Sequence, residues 1–166
     1  MTLKERLSEN TDAFIRSVKD IPDNLFNTPP DENSWSPAGV AEHVYRSEFG
    51  ISRLFKGKTS PLKDREPDSK VSEFELRLSN PSRMKASDII SPTPGKKDKD
   101  GLIEKFRTNR QAIGDLIGEG SLYEVCLLFE HPIYGFLTRS EWVKFSILHT
   151  ERHMRQVENI KNYHNK

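Results

Sequence analysis

A long amphipathic helix is predicted by residues 138–153, which read Thr138-Arg139-Ser140-Glu141-Trp142-Val143-Lys144-Phe145-Ser146-Ile147-Leu148-His149-Thr150-Glu151-Arg152-His153. Thr138 and Glu141 have the spacing of a capping box, which satisfies free amides at a helix start. Beyond the cap, apolar and small residues recur every three or four positions, as on a buried helix face. His149 and His153 lie on that face one turn apart, so both imidazoles can reach a common ion.

A second segment with apolar residues every three or four positions follows Ser36 and Pro37. Serine is a favoured N-cap residue, and proline is favoured at the first helical position, so a helix is predicted to begin here. Its apolar face runs from residue 40 to residue 55 and contains His43, and Gly57 is a natural stop. Histidine thus occupies a core-facing position on two separate predicted helices.

His43, His149 and His153 are therefore the candidate ligands of a divalent metal. Three neutral imidazoles suit Zn²⁺, Ni²⁺ or Fe²⁺ and leave coordination positions open for water or substrate. The alternative is that each histidine is a satisfied core residue, the commoner role of a lone histidine on an apolar face. His131 is predicted to have a structural role in a turn, although as a fourth ligand it would close the site.

The neighbours of these histidines supply no obvious general base. No carboxylate stands three or four residues from a candidate ligand, and Glu151 faces away from His149. Arg46 and Arg152, each one turn from a ligand, are the candidates for steering an anionic substrate toward the ion. Cys126 lies in an apolar run and is predicted to be a buried, unreactive thiol.

Four helices are predicted in total. The first runs from Thr2 to about Lys19 behind a second capping box, and the third follows the charged run 96–100 and ends at Gly118. Residues 58–100 are rich in proline and charge, with one short helix expected near 71–78. The apolar run 122–129 predicts either a helical extension or a buried connector. We expect an all-α, four-helix bundle of one domain, residues 1–166, with a long crossover between helices 2 and 3.

Composition excludes several classes of function. The hydrophobic share of 34% is low and the charged share of 31% is high, which fits helices with solvated outer faces. A net charge of +1 provides no general attraction to nucleic acid or to anionic membranes. The sequence predicts a cytoplasmic protein, because it has a single cysteine and no apolar core of a signal peptide. It also has no window that approaches the ~20 apolar residues of a membrane span.

Two segments resemble signatures of the DinB-like superfamily. Residues 35–44, Trp35-Ser36-Pro37-Ala38-Gly39-Val40-Ala41-Glu42-His43-Val44, are similar to the W-S-x-x-x-x-x-x-H-[VIL] signature of its second helix. Residues 131–142, from His131-Pro132 to Glu141-Trp142, and then His149, Arg152, His153 and Gln156, are similar to its ending H-P-x-x-G-x-L-T-x-x-E-W…H-x-x-R-H-x-x-Q. The resemblance extends over the whole chain in element order, with a loose match across residues 58–100.

This resemblance implies a four-helix bundle with a crossover and a divalent metal held by His43, His149 and His153. The YfiT-type bacillithiol transferases and the mycothiol-dependent maleylpyruvate isomerases are similar in fold and in their three histidines. The resemblance therefore implies a metal-dependent enzyme that transfers a low-molecular-weight thiol to a small electrophile. A metal-dependent hydrolase and a non-catalytic protein with a structural or regulatory metal are the alternatives. A homodimer is the oligomer expected if the chain associates.

Overall fold

The computed structural model describes residues 1–82 and 84–166. Within these ranges the chain is mostly helical, with one short antiparallel ladder. Its elements are α1 (Leu3–Lys19), α2 (Asp23–Phe26), α3 (Pro37–Glu48), α4 (Ile51–Lys56), β1 (Thr59–Ser60), α5 (Val71–Ser79), α6 (Lys99–Leu116), β2 (Val125–Cys126) and α7 (Arg139–His164). None of the helices in the described ranges is both long enough and apolar enough to cross a lipid bilayer.

The predicted helix starts are confirmed by the hydrogen bonds at their caps. Thr2 and Thr138 each accept from the backbone amide of the glutamate three residues later, and both glutamates bond back to complete a capping box. Ser36 accepts from the amide of Gly39 and caps α3 in the same way. These contacts are local in sequence, which is why the sequence predicts the helix starts.

The directions of the bundle helices follow from the residues that meet between them. Helix α3 runs parallel to α6, because Ala41 and Phe106 line one small cavity while Glu48, further along, pairs with Arg110. Helix α7 runs antiparallel to α3, because His43 lies against His153 while Glu48 accepts a hydrogen bond from Thr150. The predicted crossover between the second and third bundle helices is confirmed, and it contains α4, β1 and α5.

The second predicted helix is wrong in one respect, because it does not run unbroken to Gly57. The structure ends α3 at Glu48 and starts α4 at Ile51. Gly50, a weak helix former, stands at the break. The Asn109 side chain donates to the Glu48 carbonyl oxygen at 3.2 Å, so this carbonyl has a partner outside its own helix.

Two connecting segments also differ from, or refine, the prediction. The link after α1, where Pro22, Pro29 and Pro30 predict a non-helical connection, contains the one-turn helix α2, for which Pro22 is the N-cap residue. The ambiguous run 122–129 is a connector and not a helical extension, since it contains strand β2. It is not buried as predicted, because Leu128 and Phe129 are 54% and 49% exposed and Cys126 is its one buried residue. Strand β2 pairs antiparallel with β1, with Thr59 opposite the fully buried Cys126. The short helix expected near 71–78 is present as α5.

Candidate metal centre

Three imidazoles meet between α3 and α7. His43 Nε2 lies 3.2 Å from His149 Nε2, and His153 Nε2 lies 3.1 Å from the same His149 nitrogen. The three residues are only 3%, 8% and 7% exposed, respectively. Their ligand atoms all lie within 4.8 Å of one another, close enough to share one ion. Among the described residues, these three form the candidate ligand group. The sequence-predicted trio is thus brought to one point.

The other ring nitrogens determine which way the lone pairs face. His43 Nδ1 lies 2.8 Å from the carbonyl oxygen of Ile90 and must donate to it. His153 Nδ1 lies 2.7 Å from Gln156 Oε1 and donates in the same way. A neutral imidazole that carries its proton on Nδ1 has its lone pair on Nε2. Two lone pairs therefore point at His149 Nε2, and one hydrogen there can serve only one of them.

The cluster is held in its neutral form by its surroundings. Burial, reinforced by the neighbouring histidines and by Arg152, lowers the pKa of His149 well below its ordinary value. Burial and His43 lower the pKa of His153 to about 3, against the opposing hydrogen bond to Gln156. Burial also lowers the pKa of His43, although the bond to the Ile90 carbonyl acts in the other direction. Neutral imidazoles are the form that binds metal.

The arrangement fits a divalent ion. Two nitrogens bound to one ion at about 2.0–2.1 Å lie roughly 2.9–3.4 Å apart for octahedral or tetrahedral angles. The Nε2 separations of 3.2 and 3.1 Å have this size. Among the described residues, His149 Nδ1 is buried with no hydrogen-bond partner, so no contact at this nitrogen holds the lone pair away from Nε2.

Aromatic rings flank the histidines on two sides. Phe145 stacks on His149 with ring centroids 5.4 Å apart and an angle of 19° between the planes. The Trp35 ring lies 5.0 Å from the His43 ring. Trp142 packs 6.2 Å from Phe145 and is 3% exposed, in the core. Trp35 stands just before the N-cap residue of α3, where the sequence predicts a packing residue at the helix start. Its contact with His43 depends on how the chain enters α3, so the sequence does not predict it.

His131 lies outside the group of possible ligands. Its Nδ1 accepts hydrogen bonds from the backbone amides of Ile133 at 3.1 Å and Tyr134 at 3.3 Å, which supports the predicted structural role in the turn. Its ring packs 5.2 Å from Phe145, so Phe145 lies between His131 and His149. Burial, with a smaller effect of Arg77, lowers the pKa of His131 to about 4, so the ring is neutral at pH 7.

Both candidate steering arginines have another role in the structure. Arg46 donates from Nε and Nη2 to the carbonyl oxygen of Ile89. Arg152 donates to the carbonyl oxygens of Leu78, Asn80 and Ser82. These guanidinium groups therefore tie the crossover to the bundle beside the site.

Two other reactive side chains near the bundle core do not contribute a reacting group. Burial raises the pKa of Cys126 to about 11, so the thiol stays protonated, as its apolar setting predicts. Glu42, next to His43 in sequence, is engaged by Thr93 and Lys97. Burial raises the pKa of Glu42, but those hydrogen bonds and the lysine charge outweigh it and bring the pKa below its ordinary value.

The chain is similar to known proteins in sequence and in fold. A family model described as the DinB superfamily matches residues 6–157. The uncharacterized protein YuaE of Bacillus subtilis (strain 168) is 27% identical over 149 residues, which cover 87% of this chain and 88% of YuaE.

Two solved four-helix bundle structures share this fold at low sequence identity. YfiT from Bacillus subtilis, described as a probable metal-dependent hydrolase with an unusual four-helix bundle topology, matches with a TM-score of 0.65 and 15% identity. That match covers 98% of this chain and 86% of YfiT. The four-helix bundle protein TT2238 matches with a TM-score of 0.56 and 16% identity, over 95% of this chain and 96% of TT2238.

Proposed function

The chain belongs to the DinB superfamily, and from this premise we propose that it is a divalent-metal-dependent enzyme that joins a small thiol to an apolar electrophile. One observation carries the proposal: the buried Nε2 atoms of His43, His149 and His153 converge with separations of 3.2 and 3.1 Å about His149. These three residues hold the ion. Three protein ligands are typical of a catalytic site with an open position, whereas a structural site usually has four.

The chain's own side chains account for the binding of the ion and of the electrophile. When bound, the ion would supply Lewis acidity, which lowers the pKa of the substrate thiol toward about 7. Burial keeps the histidines neutral, and the Phe145 and Trp35 rings flank them with apolar surface that suits an apolar electrophile. With a halo-nitroarene, the sulfur–carbon bond forms as the carbon–halogen bond breaks, halide leaves, and the thiol proton passes to solvent.

Metal-dependent hydrolysis is the second candidate, and it is supported by the description of YfiT as a probable metal-dependent hydrolase. A hydrolase of this type uses water together with a general base. In the described part of the chain, the group of possible ligands contains three imidazoles and no carboxylate. Glu42, the acid next to His43 in the sequence, is bonded to Thr93 and Lys97. Thiol transfer needs no separate base and is therefore the leading proposal.

The test compares the rate of thiol conjugation with the rate of ester hydrolysis. Protein loaded with Zn²⁺, Ni²⁺ or Fe²⁺ is assayed for conjugation of a halo-nitroarene to bacillithiol, mycothiol, glutathione or coenzyme A. A nitrophenyl ester with no added thiol is the hydrolysis assay. We expect thiol-dependent conjugation that chelation and His149→Ala abolish and that His164→Ala, in the last turn of α7, leaves unchanged.

The outcomes separate the candidates. Ester cleavage that requires the metal but not a thiol, with no conjugation, supports the hydrolase. Stoichiometric metal binding with neither reaction supports a structural or regulatory ion. The small-molecule substrate and a homodimer stay predictions, and the mass of the protein in solution would check the dimer.

A further inference from the structure

The end of the crossover lies along one face of α3, and we refer to residues 87–97 as the strap. It contacts four positions of α3 at offsets 0, 3, 4 and 7, which share one helical face. The contacts pair Gly39 with Pro92, Glu42 with Thr93, His43 with Ile90, and Arg46 with Ile89. From Glu42 to Arg46 the partners on the strap fall in number, from Thr93 through Ile90 to Ile89, so this part of the strap runs antiparallel to the helix.

The strap packs tightly against α3 at Gly39. A Cβ atom at this position would lie 3.3 Å from Pro92 Cγ and 3.2 Å from Trp35 Cβ, which is tighter than ordinary van der Waals contact. Glycine therefore permits the approach. Further along the strap, the Asn27 side chain bonds both to the amide of Lys97 and to its carbonyl oxygen, at 2.7 and 2.9 Å. Both contacts place the strap against the bundle.

Glu42 makes the central contact between helix and strap. One carboxylate oxygen accepts from the Thr93 amide at 2.9 Å, and the other accepts from Thr93 Oγ1 at 2.6 Å. Lys97 Nζ lies 3.5 Å from the same carboxylate. Glu42 is 8% exposed, and a buried carboxylate bonded on both oxygens to one residue holds that residue firmly. Thr93 is three residues from Ile90, whose carbonyl accepts the His43 proton.

We propose that Glu42 is a positioning residue for the metal centre: it fixes the strap through Thr93, so that the Ile90 carbonyl orients the His43 ring. The bond from His43 Nδ1 to Ile90, 2.8 Å long, keeps the proton on Nδ1 and the lone pair on Nε2. Loss of such an orienting bond typically costs 10–100-fold in metal affinity. This inference rests on the proposed metal site, but it concerns a residue that touches neither the ion nor the substrate.

The experiment measures Zn²⁺ affinity by competition with a chromophoric chelator and records the visible spectrum of the Co²⁺-loaded protein. Glu42→Gln removes the charge, and Thr93→Val removes the hydroxyl donor while keeping the backbone amide. We expect Zn²⁺ affinity to fall about tenfold in each, with an altered Co²⁺ spectrum. Thr93→Ser, which keeps the hydroxyl, should restore both. The matched controls are Glu104→Gln, in an exposed pair with Arg107, and Thr28→Val, whose hydroxyl bonds locally to Asn24.

A second measurement does not depend on metal. Nitrogen-15 shifts of the histidine rings in metal-free protein should show His43 as the Nδ1–H tautomer, and Thr93→Val should shift His43 toward a mixture of tautomers. Wild-type affinity in Glu42→Gln and Thr93→Val, with an unchanged tautomer, would overturn the positioning role while leaving the metal site intact. A different result would separate the two proposals. If the wild type binds no metal but still shows the Nδ1–H tautomer, and Thr93→Val disturbs it, the proposed function is overturned and the orienting contact stands.

Discussion

At the scale of single residues, the three site histidines differ in what their outer ring nitrogens contact. His43 donates to a backbone carbonyl, His153 donates to a side-chain amide, and His149 Nδ1 has no hydrogen-bond partner among the described residues. The His149 ring is restrained by packing, since it stacks on Phe145. Two rings are thus restrained by hydrogen bonds and one by packing.

Metal retention should depend on each of these rings. Protein loaded with Zn²⁺ and desalted should keep about one ion per chain, and His43→Ala, His149→Ala or His153→Ala should each remove most of it, because two imidazoles hold an ion far more weakly than three. Elemental analysis of the desalted protein checks this. His164→Ala is the control, and full retention in a variant without both His149 and His153 would contradict the site.

The stability of the metal-free protein should fall as the pH drops below about 6.5. Burial lowers the pKa of His131 to about 4 and that of His153 to about 3, whereas an unfolded histidine has a pKa of about 6.5. The unfolded chain therefore takes up protons first. The stability is fully present above that pH and is lost by about 1.4 kcal/mol per pH unit for each such histidine as the pH falls toward the folded pKa.

Urea unfolding between pH 7.5 and 4.5 checks this slope. His131→Asn should flatten it by one proton's contribution, since asparagine can still accept from the backbone amides of Ile133 and Tyr134 but does not titrate. Parallel profiles for the variant and the wild type would show that His131 is not among the groups responsible.

At the scale of helices, a buried ion pair links the elements that carry the ligands. Arg110 of α6 forms a bidentate pair with Glu48 of α3, through two bonds of 2.6 Å, and both side chains are 1% exposed. Arg110 also donates to Thr150 of α7, which is next to His149, and to Asn10 of α1. One guanidinium thus contacts all three neighbouring helices of the bundle.

Arg110→Met should destabilise the protein by about 3–5 kcal/mol, because it leaves the Glu48 carboxylate buried without its charged partner. Arg107→Met is the matched control on the same helix. Arg107 forms an exposed pair with Glu104, and such pairs contribute no more than about 1 kcal/mol. The free energy of unfolding in urea distinguishes them, and equal losses in the two variants would contradict the role given to burial.

At the scale of the whole molecule, a polar layer divides the apolar core. One core cluster includes Leu7 and Ile147, and the other includes Phe14 and Val157. Between them, along each bundle helix, lie the buried polar residues Asn10, Thr11, His43, Glu48, Arg110, Ser146, His149, Thr150 and His153. The candidate metal centre is part of this layer, so an ion there would stabilise the contact between α3 and α7.

Metal binding should therefore raise the melting temperature. An ion that binds only the folded state at a hundredfold excess over its Kd adds about 2.7 kcal/mol. Differential scanning calorimetry at pH 7.5, with Zn²⁺ and after chelation, measures the change. His149→Ala should melt at the same temperature under both conditions, and a wild-type melting temperature that chelation leaves unchanged would contradict the coupling.

The sequence by itself determined where three of the four bundle helices begin and which histidines share a helix face. The capping boxes at Thr2 and Thr138 involve residues three apart, and His149 and His153 are one turn apart. Helical geometry alone relates residues at these distances, so no knowledge of the tertiary structure is needed.

Only the tertiary structure decided what surrounds the three histidines. The Ile90 carbonyl is 47 positions from His43 in the chain, and Arg110 is 62 positions from Glu48. Neither pairing follows from a helical period, because each depends on the path of the crossover and on the direction in which the helices pack. At the break between α3 and α4, the Asn109 side chain that bonds the Glu48 carbonyl likewise comes from a distant element, α6.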